Sequence, residues 1–189
     1  MLQSALFLDR DGVINIDHGH VHKREVFDFI DGIYDVARYA HQQGYKLVVI
    51  SNQAGIGRGY YTEDDFHQLT AWMCEQFSVA GAPIERVYYS PYHPTAGIGK
   101  YLKDDFSRKP QPGMILQAQA ELDLNLAGSV LIGDKASDIQ AGIAAGVGRN
   151  LLFAPQRIEE LDELDYEPII KLHEALPYLI SSNTLRGVQ

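Results

Sequence analysis

The chain has 189 residues, of which 46% are hydrophobic and 22% charged, and its formal net charge is −9. This length and composition suit a single globular domain, over residues 1–189, with a full apolar core. The negative charge argues against nucleic acid and anionic membrane surfaces as partners, because both carry dense negative charge themselves. We therefore expect a protein that acts on a small soluble molecule. A monomer is expected because nothing in the sequence indicates a large apolar face for a second subunit.

The cysteine content and the apolar runs bear on the compartment. Cys74 is the one cysteine, so no internal disulfide can form and a reducing compartment is expected. The first residues lack the basic stretch and apolar run of a signal peptide, and no apolar run approaches membrane-spanning length. A cytoplasmic protein without a membrane partner is the expectation.

Short apolar runs alternate with longer amphipathic segments along the chain. Strands are predicted at 4–8, 45–50, 84–89, 129–132 and 150–153, and helices at 31–43, 62–80, 112–122 and 136–145. This alternation predicts an α/β fold in which a parallel sheet is flanked by helices on both faces. In such sheets, ligands bind beyond the carboxyl ends of the strands.

The acidic tail and a glycine-rich segment lie outside these predicted strands and helices. The tail from Arg157 is richer in acidic residues, and we expect it to carry one or two helices packed on the domain. Gly55, Gly57 and Gly59 do not have the spacing of a nucleotide-binding loop, and they are interpreted as a flexible turn.

Carboxylates follow the first and fourth predicted strands. Asp9 and Asp11 come directly after the first strand, and Asp134 follows the fourth, with Asp138 one helical turn later. Like charges this close are costly unless a cation compensates them, and oxygen ligands suit Mg²⁺. Taken alone, a surface acidic turn or a helix cap explains each pair equally well. An EF-hand loop is excluded, because its glycine belongs at the sixth position and Gly12 stands at the fourth.

Phosphate-binding side chains are also expected at strand ends. Ser51, Asn52 and Gln53 follow the second strand and can donate hydrogen bonds to phosphate oxygens. Arg108 and Lys109 follow the third strand and a long loop, and such cations can neutralise a transferring phosphoryl group. Taken alone, a polar turn explains the first group equally well, and a solvated basic pair is the usual explanation of the second. The ordered set on successive strands points to phosphoryl transfer.

Four segments resemble the motifs of the haloacid dehalogenase (HAD) superfamily of phosphohydrolases, namely LFLDRDGV, ISNQ, SRKP and LIGDKASD. Longer stretches, including FLDRDGVINIDHGHVH and SNQAGIGRGYYTEDDF, resemble the members that remove the 7-phosphate of D-glycero-D-manno-heptose 1,7-bisphosphate. Histidinol-phosphate phosphatases share the catalytic motifs and are the alternative. The resemblance implies a Rossmann-like HAD fold. It should be capless, because the gaps after the first and second motifs are too short for a large cap domain.

The resemblance also implies a role for each motif residue. Asp9 is expected to be the nucleophile that carries the phosphoryl group, and Asp11 to be first general acid and then general base. Ser51 and Lys109 are expected to hold the phosphoryl oxygens. The expected Mg²⁺ ligands are Asp9, the backbone carbonyl of Asp11, and Asp134. The expected substrate contacts are Asp17, His18, Asn52, Arg108 and Lys135.

One departure from the family concerns a structural zinc ion. Members usually hold it with cysteine and histidine, and the matching positions in this chain are Ser90, Tyr92, Asp105 and Ser107. These residue types do not suit a tetrahedral zinc site, so no structural zinc is expected. Packing of Tyr92, Tyr101 and Phe106 is expected to hold the loop instead.

Three alternating histidines, His18, His20 and His22, have a pattern that metal ligands can show. The resemblance places them in a flap over the substrate, with His20 where the family has tyrosine. Substrate contact by Asp17 and His18 is therefore favoured over metal binding.

The resemblance implies a Mg²⁺-dependent hydrolase of a small sugar phosphate, acting through an aspartyl-phosphate in the biosynthesis of nucleotide-activated heptose for lipopolysaccharide core or capsule. Histidinol phosphate or another small phosphate ester is the alternative substrate. A polynucleotide 3′-phosphatase shares the capless fold but is disfavoured by the net charge of −9. A binding module without activity is disfavoured because Asp9 and Asp11 are both present.

Overall fold

The computed structural model describes residues 2–155 and 164–180. Its strands are β1 Ala5–Leu8, β2 Lys46–Asn52, β3 Ile84–Ser90, β4 Val130–Gly133, β5 Arg149–Phe153 and β6 Glu167–Ile169. They form one parallel sheet in the order β3-β2-β1-β4-β5-β6. The chain runs outward from β1 to β3 and then restarts at β4 on the other side of β1. The carboxyl ends of β1, β2 and β4 therefore meet at the switch point, where ligands bind in sheets of this kind.

Helices cover both faces of the sheet, as the sequence predicts. They are α1 Ile33–Gln42, α2 Ala54–Gly57, α3 Glu63–Val79, α4 Gly113–Leu122 and α5 Ala136–Ala145. Leu6 and Leu8 of β1 join one core cluster, with residues of α1 and α3, whereas Ala5 and Phe7 join the other, with residues of α4 and α5. Because successive strand residues point to opposite faces, a strand buried on both sides reads as a continuous apolar run.

The start of α3 shows how local sequence sets a helix boundary. Thr62 Oγ1 accepts a hydrogen bond from the backbone N–H of Asp65 at 3.0 Å, and Asp65 Oδ2 accepts one from the backbone N–H of Thr62 at 2.8 Å. This capping box satisfies N–H groups that would otherwise lack partners. It fixes the start of α3, and both ends of the helix lie within one residue of the predicted bounds.

The acidic tail differs from its prediction. Helices were expected there, but the described part adds a sixth strand, β6, which pairs with β5 and buries only Ile169. A three-residue strand is too short to show an alternating pattern. The 3₁₀ helix Leu172–Tyr178 follows and buries Leu172 and Ala175 in the α1 side of the core. Residues 156–163 and 181–189 lie outside the described residues, so the prediction there is untested.

The interpretation of the three glycines as a flexible turn is wrong for Gly55 and Gly57, whereas Gly59 lies in a turn with a φ of 76°. The short helix α2 begins directly after Gln53 and includes Gly55 and Gly57, both buried. A Cβ atom on Gly55 would lie 2.3 Å from the ring of Tyr61, and one on Gly57 would lie 2.3 Å from the backbone oxygen of Pro91. The two glycines therefore allow close packing.

No cap domain interrupts the described chain near the sheet mouth. Between β1 and α1 the chain forms only one short helical element, the 3₁₀ turn Arg24–Val26. The fold is capless, as predicted. No helix within the described ranges is both long enough and apolar enough to cross a membrane.

Candidate active site

A buried lysine stands at the centre of the sheet mouth. Lys109 Nζ lies 2.6 Å from Asp9 Oδ1 and 2.6 Å from Asp138 Oδ1, and it donates to the backbone oxygen of Ile50 at 3.0 Å. Asp9 follows β1, Asp138 lies in the first turn of α5, and Lys109 lies in the loop before α4. The fold thus brings three predicted positions from distant segments into direct contact.

The charges at this centre do not balance. Burial raises the pKa of Asp9 well above its ordinary range, with Asp138 and Asp134 adding to the effect and Lys109 opposing it. Burial alone would lower the pKa of Lys109, but Asp138 and Asp9 together raise it. Lys109 is therefore a fixed cation, but its charge does not offset the effect of burial on the pKa of Asp9.

Asp134 provides a place for a further positive charge. One oxygen each from Asp9, Asp134 and Asp138 lie within 4.8 Å of one another. Asp134 Oδ1 is buried and has no hydrogen-bond partner, and burial raises the pKa of this carboxyl to about 6. Clustered carboxylate oxygens are donors that fit Mg²⁺. Asp9 and Asp134 are therefore the side chains that fit as ligands.

Asp138 supports this arrangement instead of offering a free ligand. Besides Lys109, it contacts the start of α5, where Asp138 Oδ2 accepts from the backbone N–H groups of Asp134 at 3.2 Å and Lys135 at 3.0 Å. A carboxylate at this position of a helix satisfies unpaired N–H groups. The predicted supporting role matches this geometry, and Lys135, not Asp134, is the residue that precedes the helix.

Asn52 is bound to the backbone of the lysine loop. Its Nδ2 donates to the backbone oxygen of Lys109 at 3.0 Å, and its Oδ1 accepts from the backbone N–H of Lys109 at 3.0 Å. This reciprocal pair joins the end of β2 to the loop before α4. This amide is positioned to hold Lys109 in place, and the predicted contact of Asn52 with substrate stays a prediction.

The carboxylate of Asp11 lies in a network of donors that sequence reasoning missed. It accepts hydrogen bonds from Arg10 Nη2 at 2.8 Å, from Asn15 Nδ2 at 3.0 Å and from Gln53 Nε2 at 3.0 Å. Arg10 is 1% exposed, and its guanidinium lies about 6 Å from two phenylalanine rings. The signal for this network was Arg10 itself, a charged residue at the end of a buried strand.

The residues of the predicted flap, 17–22, differ in whether they contact the acidic cluster. Asp17 pairs with Lys135 at 3.0 Å, and Lys135 Nζ also lies 3.6 Å from Asp134 Oδ2. These two predicted substrate contacts therefore lie at the edge of the acidic cluster. His18 pairs with Asp28 at 2.8 Å and makes no contact with that cluster.

The three alternating histidines do not converge. His20 meets the ring of Tyr60 edge-on at 4.8 Å, and His22 stacks on the ring of Tyr61 at 4.9 Å. Among the described residues, the aspartate cluster is the one group of three or more side chains placed to hold a metal. His20 and His22 therefore act as aromatic contacts in this structure, and His18 pairs with Asp28.

A pair of arginines lies on the β2–β3 side of the mouth. Arg108 Nη1 donates to the backbone oxygen of Tyr92 at 3.1 Å. Burial and the charge of nearby Arg58 lower the pKa of Arg108. Arg58 Nε is buried without a hydrogen-bond partner. Sequence reasoning missed Arg58 because it stands among the glycines that were interpreted as a turn.

Comparison with known proteins places this geometry in a family. A family model described as HAD-hydrolase-like matches residues 106–152. A Burkholderia mallei protein named D-glycero-alpha-D-manno-heptose-1,7-bisphosphate 7-phosphatase is 50% identical over 179 residues, which is 95% of each chain. This chain belongs to the heptose-1,7-bisphosphate 7-phosphatase family of HAD-like proteins. An Escherichia coli member, named for the beta form of the substrate, is 44% identical over 78% of each chain.

Solved structures share the fold of this family member. A Mesorhizobium loti protein assigned to the HAD-like phosphatases is 31% identical, with a TM-score of 0.85 over 94% of this chain and 86% of the other. The D,D-heptose 1,7-bisphosphate phosphatase of B. bronchiseptica, solved with magnesium and phosphate, is 24% identical. Its TM-score is 0.76 over 93% of this chain and 97% of that one, which shows the common fold.

In this family member, hydrogen bonds join the loop at the positions where the family has zinc ligands. Ser107 Oγ lies 2.7 Å from Asp105 Oδ1 and 3.0 Å from Ser90 Oγ. Lys103 pairs with Asp105 at 2.6 Å, which anchors the carboxylate. Three of the four positions therefore contact one another through polar groups.

The aromatic packing predicted for this loop is only partly present. The rings of Tyr92 and Tyr101 lie 6.2 Å apart, as a tilted pair. Phe106 is 58% exposed, so the prediction that it holds the loop is wrong. The cause is that the polar contacts of Asp105 and Ser107 already fix the chain on either side of Phe106.

A cleft of about 1020 Å³ opens beside Asp134 of the acidic cluster. Its lining includes Asp17, Asp134, Lys171 and His173. A cleft of this size can hold a sugar bisphosphate. The site thus has an open approach that joins the acidic cluster to the flap and the tail.

Proposed function

We propose that this chain is a Mg²⁺-dependent phosphatase that removes the 7-phosphate of D-glycero-D-manno-heptose 1,7-bisphosphate. The observation that carries the proposal is Lys109, buried between Asp9 and Asp138 beside an unpartnered oxygen of Asp134. A phosphoryl group at this point would meet a nucleophile, a fixed cation and the ligands of a metal together. Relatives named for this reaction supply the substrate.

The proposal extends to the setting of the reaction. A heptose phosphatase serves the synthesis of nucleotide-activated heptose for lipopolysaccharide core or capsule, and we place the enzyme in the cytoplasm as a monomer. Its partner is the sugar phosphate alone, because a net charge of −9 repels nucleic acid and anionic membrane surfaces. We propose the alpha anomer as the preferred form, following the Burkholderia mallei relative that matches 95% of the chain.

The proposed mechanism has two steps. In the first step, an oxygen of Asp9 attacks phosphorus, the bond from phosphorus to the 7-oxygen of the sugar breaks, and Asp11 donates a proton to that oxygen. In the second step, Asp11 takes a proton from water, which attacks the aspartyl-phosphate and releases Asp9 and inorganic phosphate. Lys109 and Ser51 hold the phosphoryl oxygens throughout.

Asp9, Asp134 and the backbone carbonyl of Asp11 would hold Mg²⁺ in this scheme. When bound, the ion supplies positive charge to the phosphoryl oxygens and favours the ionised form of the nucleophile. No structural zinc is part of the proposal, because Ser90 and Ser107 stand where the family has zinc ligands.

The rest of the substrate would contact both sides of the mouth. Asp17 and Lys135 face the open cleft beside Asp134 and suit the sugar hydroxyls. Arg108 and Arg58 suit the second phosphate, since an anion there would pair two cations that lack an ion-pair partner among the described residues. His18 is 46% exposed, and its contact with substrate stays a prediction.

Arg108→Ala should separate recognition of the second phosphate from the chemistry. We expect kcat/KM for heptose 1,7-bisphosphate to fall about 10- to 100-fold, because a hydrogen bond to a charged group is lost. The value for the heptose 7-monophosphate should change little. Arg86→Ala is the matched control, because Arg86 is an exposed arginine that pairs with Glu121. An equal loss with both substrates would contradict this assignment.

Gly12→Ala should weaken metal binding. Gly12 has a φ of 105°, and a Cβ atom there would lie 2.2 Å from Asp134 Oδ2, so the ligand must move. We expect the Mg²⁺ concentration for half-maximal activity to rise about tenfold or more. Gly44→Ala is the control, since Gly44 has a φ of 84° but no atom within 4 Å of an added Cβ. A folded Gly12→Ala protein with unchanged Mg²⁺ dependence would refute the assigned ligand.

Phosphorus NMR tests the proposed reaction itself. Incubation of the protein with heptose 1,7-bisphosphate and Mg²⁺ should remove the signal of the 7-phosphate and retain that of the anomeric phosphate. Chelation of the metal should stop the reaction. Loss of the anomeric phosphate first, or no change in either signal, would overturn the proposal.

A further inference from the structure

A glutamine amide bridges two residues of the proposed mechanism. Gln53 is 1% exposed, and its Nε2 donates to Ser51 Oγ at 2.7 Å and to Asp11 Oδ2 at 3.0 Å. Its Oε1 accepts a hydrogen bond from the hydroxyl of Tyr61 at 2.5 Å. The amide nitrogen therefore donates to two acceptors, and the amide oxygen accepts from one donor.

The orientation of this amide decides what Ser51 can do. With the Gln53 N–H donating to Ser51 Oγ, the proton of the Ser51 hydroxyl is free for a phosphoryl oxygen. In the flipped orientation the amide oxygen would accept that proton. It would also lie close to the carboxylate of Asp11, where two acceptors repel each other. Only one of the two orientations suits phosphoryl transfer.

Tyr61 is built to enforce that orientation. Its hydroxyl can satisfy the oxygen of Gln53 while remaining protonated, because burial raises the pKa of Tyr61 to about 12, with Asp11 adding to the effect and Arg10 opposing it. The ring is 6% exposed and stacks on His22. The space beside it exists because residue 55 is glycine.

The flap is joined to this network from two directions. His22 stacks on Tyr61, and the backbone oxygen of Val21 accepts a hydrogen bond from Arg10 Nη2 at 2.6 Å. Arg10 in turn pairs with Asp11 at 2.8 Å. Val21 thus contacts Arg10, which pairs with Asp11, and His22 contacts Tyr61, which is linked to Asp11 through Gln53.

We propose that Tyr61 is a positioning residue: through Gln53, it sets the direction of the Ser51 hydroxyl and of the Asp11 carboxylate. This inference rests on the phosphoryl-transfer function proposed above. Tyr61 itself touches neither the substrate nor the reacting atoms. Its effect should therefore appear in the rate of the chemical step and leave substrate binding almost unchanged.

Tyr61→Phe tests the proposal because it removes only the hydroxyl and keeps the stack on His22. We expect kcat to fall about tenfold, as for a small misplacement of reacting groups, with KM within about twofold of wild type. Tyr60→Phe is the matched control, since Tyr60 is 57% exposed and has no contact with Gln53. An unchanged kcat in Tyr61→Phe, or an equal fall in Tyr60→Phe, would overturn the proposal.

A double-mutant cycle with Gln53→Leu distinguishes positioning from a general loss of structure. If Tyr61 acts through Gln53, adding Tyr61→Phe to Gln53→Leu should cost no further activity, whereas multiplying losses would contradict the proposal. The assay uses whichever phosphate ester the wild type hydrolyses fastest, so failure of the heptose assignment leaves the test intact. A wild type that hydrolyses no ester would overturn both proposals.

Discussion

Asp9→Asn is expected to abolish turnover and leave the fold intact. Asparagine has nearly the same shape as aspartate, but its amide cannot form the acyl phosphate. We expect kcat to fall by more than about 10⁴-fold, as when other covalent nucleophiles are removed. Lys109 would keep Asp138 at 2.6 Å and the backbone oxygen of Ile50 at 3.0 Å, so no buried charge loses its last partner.

The measurement is phosphate release together with thermal unfolding. Asp35→Asn is the matched control, because Asp35 is an exposed aspartate of α1 that pairs with Arg38. This control should keep full activity and an unchanged melting temperature. An Asp9→Asn protein with wild-type activity would show that the reaction does not pass through Asp9.

Asp11→Ala is expected to cost stability as well as activity. Arg10 is 1% exposed and Asp11 is its ion-pair partner, so the substitution leaves a buried guanidinium without its compensating charge. Breaking a buried pair in this way costs about 3 kcal/mol, which corresponds to a melting temperature lower by about 6–12 °C. Turnover should also be lost, since the proposed acid and base is absent.

A second variant separates the two effects of Asp11. In Arg10→Met/Asp11→Ala both charges are removed, and we expect most of the lost stability to return, because an apolar replacement of a buried pair is often neutral. Activity should stay lost. If Asp11→Ala has the same melting temperature as the wild type, the ion pair between Arg10 and Asp11 does not stabilise the fold as described. If the double variant regains turnover, Asp11 is not the acid and base.

The parts of the fold that follow a strong pattern could be predicted. Five strands were predicted correctly because a sheet buried on both faces gives continuous apolar runs. The four longer helices were predicted from the amphipathic segments between those runs. The order of β1, β2 and β4 then placed Asp9, Ser51 and Asp134 at one edge. The single-domain assignment of residues 1–189 stays a prediction.

The missed features have no local pattern. Strand β6 is three residues long, and two of the four residues of α2 are glycines, which have weak helix propensity. The surroundings of Asp11 come from Arg10, Asn15 and Gln53, which only the folded chain brings together. Motif spacing gives the position of Asp11 along the chain, but the direction of its carboxylate depends on these tertiary contacts.

The predicted site residues also differ in how far their contacts could be predicted from the sequence. Asp9 and Lys109 meet directly, because one ends a strand and the other lies in a loop that returns to the same sheet edge. The contact of Asn52 with substrate stays a prediction, but the backbone of Lys109 binds both the N–H and the oxygen of its amide. This pairing of a side chain with a distant backbone segment is not visible in a sequence.

The most direct test of the central claim is kcat/KM with Mg²⁺ for the alpha and beta anomers of heptose 1,7-bisphosphate, histidinol phosphate and fructose 1,6-bisphosphate. The account predicts that the alpha anomer has the highest value and that it exceeds those of histidinol phosphate and fructose 1,6-bisphosphate by about 100-fold or more. Equal and slow turnover of all four esters would contradict the heptose assignment.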